Sequence, residues 1–182
     1  MNSNSGKQST GELLFFGMLA LALGLLMFVG RRPGGQASVS PGTPLPELMA
    51  TGWLNTDGIP SRENLAGKIV VVDCWATWCP ACREAIPELT KLYAQYRTLG
   101  VEFIGLTPES ENERAAIEQF IDATPNFDWP VGYGASPTLD MLGIQAFPTV
   151  IVFNARGTAI WSSHDLNGIE DALDQALAIV QK

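Results

Sequence analysis

Residues 69–75 (IVVVDCW) form a short, nearly unbroken apolar run dense in β-branched side chains, and Cys79-Pro80-Ala81-Cys82 follows almost at once. Such a run suits a strand covered on both faces at the centre of a sheet. Residues 82–99 then carry Ala85, Ile86, Leu89, Leu92, Tyr93 and Tyr96 at helical spacing, and Pro87 within them predicts a kink. A central strand that turns into a helix through a Cys-Pro-x-Cys corner leaves few folds open.

The remaining pattern narrows them further. Residues 101–106 predict a second strand and residues 113–123 a second amphipathic helix. Residues 149–154 and 158–162, around a turn at Ala155-Arg156-Gly157, predict a hairpin, and residues 169–180 a closing helix with Ile169, Leu173, Leu177 and Val180 on one stripe. Asp57-Gly58 between short apolar residues in 54–60 signals an earlier hairpin. Strands alternating with helices, then a hairpin and a helix, imply an α/β domain with a central mixed sheet flanked by helices.

Residues 13–29 (LLFFGMLALALGLLMFV) carry no charge, and as a helix they would span about 26 Å, near the hydrocarbon thickness of a bilayer. The organisation expected is therefore a polar N-terminal tail over 1–12, a transmembrane anchor over 13–30, a Gly/Pro/Ser-rich flexible linker over 31–46 and the globular domain over 47–182. A cleaved signal sequence is the alternative for 13–30, with Gly35-Gln36-Ala37 as its cleavage site. Lys7 against Arg31 and Arg32 leans the domain towards the cytoplasm by the positive-inside rule. The formal net charge is −8 and there is no run of Lys or Arg, so nothing electrostatic supports a nucleic-acid partner.

The chemistry rests on few groups: Cys74, Cys79, Cys82 and the lone His164. That supply is too dispersed for a structural zinc site, which takes four ligands. A c-type haem attachment needs His directly after the second Cys, where Arg83 stands. No cofactor-binding motif appears. Thiol–disulfide exchange needs a thiolate, and a free Cys, with pKa about 8.5, supplies little at neutral pH unless something such as a helix N-terminus lowers it. Cys79 falls where strand gives way to helix, among the unpaired N–H groups of the first turn; Pro80 suits the first helical position. Cys79 is the candidate attacking thiol and Cys82, on the same side of that turn, the candidate resolving thiol. Cys74 is expected to be a buried, inert thiol, and His164 an ordinary surface histidine.

The segment 71–89 (VVDCWATWCPACREAIPEL) resembles the active-site stretch of thioredoxin-fold proteins, above all the membrane-anchored TlpA/ResA-like thiol–disulfide oxidoreductases. A Pro-x-Leu-Pro-Glu-Leu start, Gly67-Lys68 and Phe147-Pro148-Thr149 extend the likeness over about residues 43–180. The resemblance implies a thioredoxin-like fold, a redox-active Cys79–Cys82 disulfide and a Pro148 in the place of the family's cis-proline. It further implies a substrate face formed by Trp78, Pro80, Ala81, Phe147, Pro148 and Thr149, and a buried Asp73 that exchanges a proton with Cys82. It implies a reductase of extracytoplasmic protein disulfides, recharged by a membrane electron donor, with cytochrome c maturation as one such task. A disulfide-forming oxidase and a redox-inert peptide-binding module are the alternatives. Where relatives often carry Glu three residues past the second Cys, this chain has Ala85, with Glu84 beside it.

Overall fold

The computed structural model describes residues 39–180. The segment expected to cross a membrane, 13–30, lies outside them, as does the tail before it. Among the described residues no helix is long and apolar enough to cross a membrane.

In chain order the elements are β1 (Gly52–Leu54), α1 (Arg62–Leu65), β2 (Ile69–Cys74), α2 (Pro80–Tyr96), a 3₁₀ turn (Arg97–Leu99) and β3 (Val101–Leu106). A second 3₁₀ turn (Glu111–Glu113) leads into α3 (Arg114–Asp122), and β4 (Val131–Tyr133), α4 (Ser136–Met141), β5 (Thr149–Phe153), β6 (Ala159–Ser163) and α5 (Ile169–Val180) complete the domain. The strands form one sheet in the order β1-β4-β3-β2-β5-β6. Pairing is parallel between β2 and β3 and between β3 and β4, and antiparallel elsewhere. This is the mixed α/β sheet expected, and every residue of the central β2 is buried.

Period-two alternation sends β2 side chains to two cores. Ile69, Val71 and Trp75 join the face covered by α2, α3 and α5, which also holds Cys79 and Cys82. Val70, Val72 and Cys74 join the opposite face with Ile104, Leu106, Ile151 and Phe153. The first face is rich in aromatic rings: Trp75 packs on Phe120 and Phe127, and Phe127 on Trp129 at 4.2 Å between centroids. Gly105 on β3 makes room for this cluster. A Cβ there would stand 3.0 Å from Trp75 Nε1 and 3.3 Å from Trp129 Nε1.

The hairpin expected around Asp57-Gly58 does not form. β1 pairs instead with the distant β4, Trp53 opposite Gly132, because the residues after it lead through Pro60 and the Ser61 N-cap into α1. Residues 39–46, inside the stretch expected to be a linker, lie along β6. The Thr43 carbonyl accepts from the Ala159 N–H, the Leu45 N–H donates to the Gly157 carbonyl, and Val39 and Leu45 are buried in the second core. Helix α2 runs across Pro87 to Tyr96. The tight turn after it closes on Gly100, whose φ of 85° lies in the left-handed region that glycine adopts without strain.

Candidate active site

The cysteine pair occupies the corner between β2 and α2. Cys79 is the N-cap of α2 and Pro80 fills its first turn without wasting an N–H. Cys79 and Cys82 are joined in a disulfide, Cα atoms 5.3 Å apart. The Cys82 backbone N–H points at Cys79 Sγ from 3.1 Å, so the donor that caps the helix is already aimed at the sulfur that would carry negative charge after reduction. The two sulfurs differ in access: Cys79 is 4% exposed and Cys82 is sealed at 0%. An incoming group meets Cys79 first. Pro80 and Ala81 are exposed beside it.

Trp78, immediately before the pair, is 63% exposed, a large apolar surface next to Cys79 in the chain. Its ring meets Phe147 edge-on at 5.8 Å, and the Phe147–Pro148 peptide bond is cis. The fold thus brings the segment before β5 against the loop before α2, across a wide gap in sequence. Thr149 departs from the expectation for a substrate face. The strand period turns its side chain to the core that holds Cys74, Ile151 and Phe153. There it is fully buried and donates to the Ala146 carbonyl at 2.7 Å; it braces the loop from beneath.

Asp73 follows the same alternation onto the face of Val71, Trp75 and the cysteine pair. It is buried, and neither carboxylate oxygen finds a hydrogen-bond partner among the described residues. Burial alone pushes its carboxyl up to about 7. Cys74, one residue on, faces the other core. Burial first, and then the neighbouring Asp73, hold its thiol well above the ordinary range, so it stays protonated and inert. Glu84 is exposed and Ala85 carries no polar group.

Two groups escaped the sequence reading. Glu109 lies just past β3, where the register Cys74–Leu106 makes β2 and β3 leave the sheet side by side. Its carboxylate accepts from the Thr77 backbone N–H at 2.8 Å, from the Thr107 hydroxyl at 2.8 Å and from the Thr77 hydroxyl. Arg83 Nε donates to the Thr77 carbonyl at 2.9 Å. The residue two before Cys79 is therefore held from both sides. No motif links position 109 to position 77; the available signal was an acidic residue at the end of a strand parallel to β2, the edge of such sheets where functional groups gather. The second group is His164, which is half-buried and bonded to the segment before β5, not an ordinary surface side chain.

Sheet order, the capped cysteine corner and the facing cis-proline segment define a thioredoxin-like redox domain. The Redoxin family model matches residues 42–177, and the chain belongs to that family. It is similar to the thiol-disulfide oxidoreductase ResA of Halalkalibacterium halodurans, 32% identical over 108 residues, 59% of each chain. A second ResA, from Oceanobacillus iheyensis, is 30% identical over 96 residues, 52% of this chain and 48% of that one. The matches thus span about half the length of these curated relatives. Among solved structures, a thiol-disulfide isomerase from Corynebacterium glutamicum superposes with a TM-score of 0.65 at 25% identity, covering 75% of this chain and 97% of that one. These likenesses place the chain with the ResA-like members of the thioredoxin superfamily.

Proposed function

We propose that this chain is a thiol–disulfide oxidoreductase that reduces protein disulfides through Cys79 and Cys82. The observation that carries the reading is the asymmetry of the pair: both sulfurs sit at the start of α2, but only Cys79 reaches solvent. The names of the ResA relatives support the same chemistry.

In the reduced protein the Cys79 thiolate, held by the Cys82 N–H and the helix N-terminus, attacks one sulfur of a substrate disulfide. The S–S bond breaks, its electron pair leaves with the other substrate sulfur as a thiolate, and a mixed disulfide forms on Cys79. The Cys82 sulfur, its proton passed to Asp73, then attacks the Cys79 sulfur as a thiolate; the mixed disulfide breaks, and the second substrate sulfur leaves with the electron pair as a thiolate that takes up a proton. Two electrons move from the enzyme dithiol to the substrate, and the Cys79–Cys82 disulfide is what remains. Trp78, Pro80, Ala81, Phe147 and Pro148 form the surface on which the substrate lies, its strand pairing with backbone next to the cis bond.

In this reading residues 13–30 anchor the domain on the extracytoplasmic side of a membrane. A membrane electron donor regenerates the dithiol, and apocytochrome thiols are among the substrates. A reporter fused after Lys182 tests the topology: activity confined to the cytoplasm removes the extracytoplasmic assignment. A reduction potential near about −270 mV marks a reductant, and one near about −120 mV an oxidant that forms disulfides instead. The central test is insulin reduction. Cys79→Ser should fall to background and Cys82→Ser should accumulate mixed disulfide; full activity in Cys79→Ser ends the proposal.

A further inference from the structure

His164 is the chain's lone histidine, and it lies one step past the last rung of the β5–β6 ladder, Val150–Ser163. At that step the backbone of β6 turns away: the Asp165 N–H goes to the Ser163 hydroxyl and the Asn167 N–H to the Asp165 carboxylate. The Pro148 carbonyl, one residue before the facing β5, would lose its donor there. The His164 ring takes over, with Nδ1 at 2.9 Å from the Pro148 oxygen and 3.0 Å from Thr149 Oγ1.

The proton positions follow from the partners. A carbonyl only accepts, so Nδ1 must carry the hydrogen. The Thr149 hydroxyl spends its own hydrogen on the Ala146 carbonyl and meets Nδ1 as a second acceptor. One imidazole thereby ties Pro148 and Thr149 to the end of β6, and the Thr149 hydroxyl carries the tie on to Ala146. The ring donates through Nδ1 whether neutral or protonated, so the tie is indifferent to its charge. Among the described residues neither the N–H nor the carbonyl of Phe147 takes part in a backbone hydrogen bond.

We propose that His164 is a positioning residue for macromolecular substrates: by holding the Pro148 carbonyl back towards β6 it presents the unpaired Phe147 backbone, beside Trp78, to a strand of the disulfide-bearing peptide. This rests on the exchange activity proposed above. A small disulfide that makes no strand contact does not need the clamp, whereas a polypeptide disulfide does.

The test compares insulin with bis(2-hydroxyethyl) disulfide as substrates of the full chain. Losing a half-buried hydrogen bond in His164→Ala should raise the KM for insulin roughly five- to tenfold. The kcat should stay within about twofold, the pattern of lost binding and not of lost chemistry, and the small disulfide should react as fast as with the parent protein. His164→Asn, whose amide can donate from near the Nδ1 position, should recover most of the insulin KM. An unchanged insulin KM in His164→Ala, or equal slowing on both substrates, overturns the proposal. ¹⁵N spectra of the parent protein check it without any variant: a protonated Nδ1 with bare Nε2 supports the clamp at neutral charge, and a bare Nδ1 refutes it. If the parent protein reduces neither substrate, the exchange activity fails and the spectra alone judge the clamp.

Discussion

Asp73, near the end of β2, and Glu109, just past the end of the adjoining β3, are both buried carboxyls, at 1% and 7% exposure. They are otherwise opposites. Glu109 collects three donors from Thr77 and Thr107; Asp73 collects none among the described residues. The first ties the loop that leads into Cys79, as a fully satisfied polar group can. The second is a buried group held at a cost, since an unpaired carboxylate in an apolar core is strongly disfavoured. The contrast teaches that burial does not decide what a carboxyl does; the donors around it do. A satisfied one builds structure, and an unsatisfied one holds its proton to a higher pH.

The largest effect should come from removing the unsatisfied charge. With its carboxyl at about 7 in the folded chain and near about 3.9 when unfolded, Asp73 stays protonated in the fold where the open chain has let its proton go. The folded state therefore binds more protons between those values, and stability falls as pH rises across that window. Above it the deficit levels at up to about 4 kcal/mol. Asp73→Asn should be more stable than the parent at pH 8 by up to that amount and equal to it near pH 4. Denaturant titrations of the oxidised protein at both pH values check this, and a gain that ignores pH would erase the contrast.

Glu109→Gln should act with the opposite sign. Its amide keeps one oxygen for the Thr77 N–H and the Thr107 hydroxyl but loses the charge and turns a donor towards the Thr77 hydroxyl, costing about 1–3 kcal/mol at pH 8. Amide exchange at Thr77 should quicken, because its N–H trades a charged acceptor for a weaker neutral one. Thr107→Val sharpens the comparison at the small end: one donor of three is lost, for about 1 kcal/mol, with Thr77 still held. A cost as large as that of Glu109→Gln would show that Thr107, and not the loop contact, dominates the site.

The central elements were legible because their signals are local. β2 announced itself by a β-branched run, α2 by its apolar stripe, and the Cys79 corner by the change between them. β4 and α4 were not anticipated. β4 has three residues with Gly132 in the middle, too short to show alternation, and it exists because β3 and β1 flank it. The Asp57-Gly58 hairpin failed for the complementary reason: turn residues were present, but the partner strand was elsewhere in the chain.

The sequence alone determined the chemistry of the corner, because strand, cap, Pro80 and paired cysteines lie within a few residues of one another and their effects act over one helical turn. Only the tertiary structure decided what surrounds that corner. Glu109 reaches Thr77, Phe147 reaches Trp78 and His164 reaches Pro148 through strand register, a property of chains already paired and invisible in the spacing of residues along one of them.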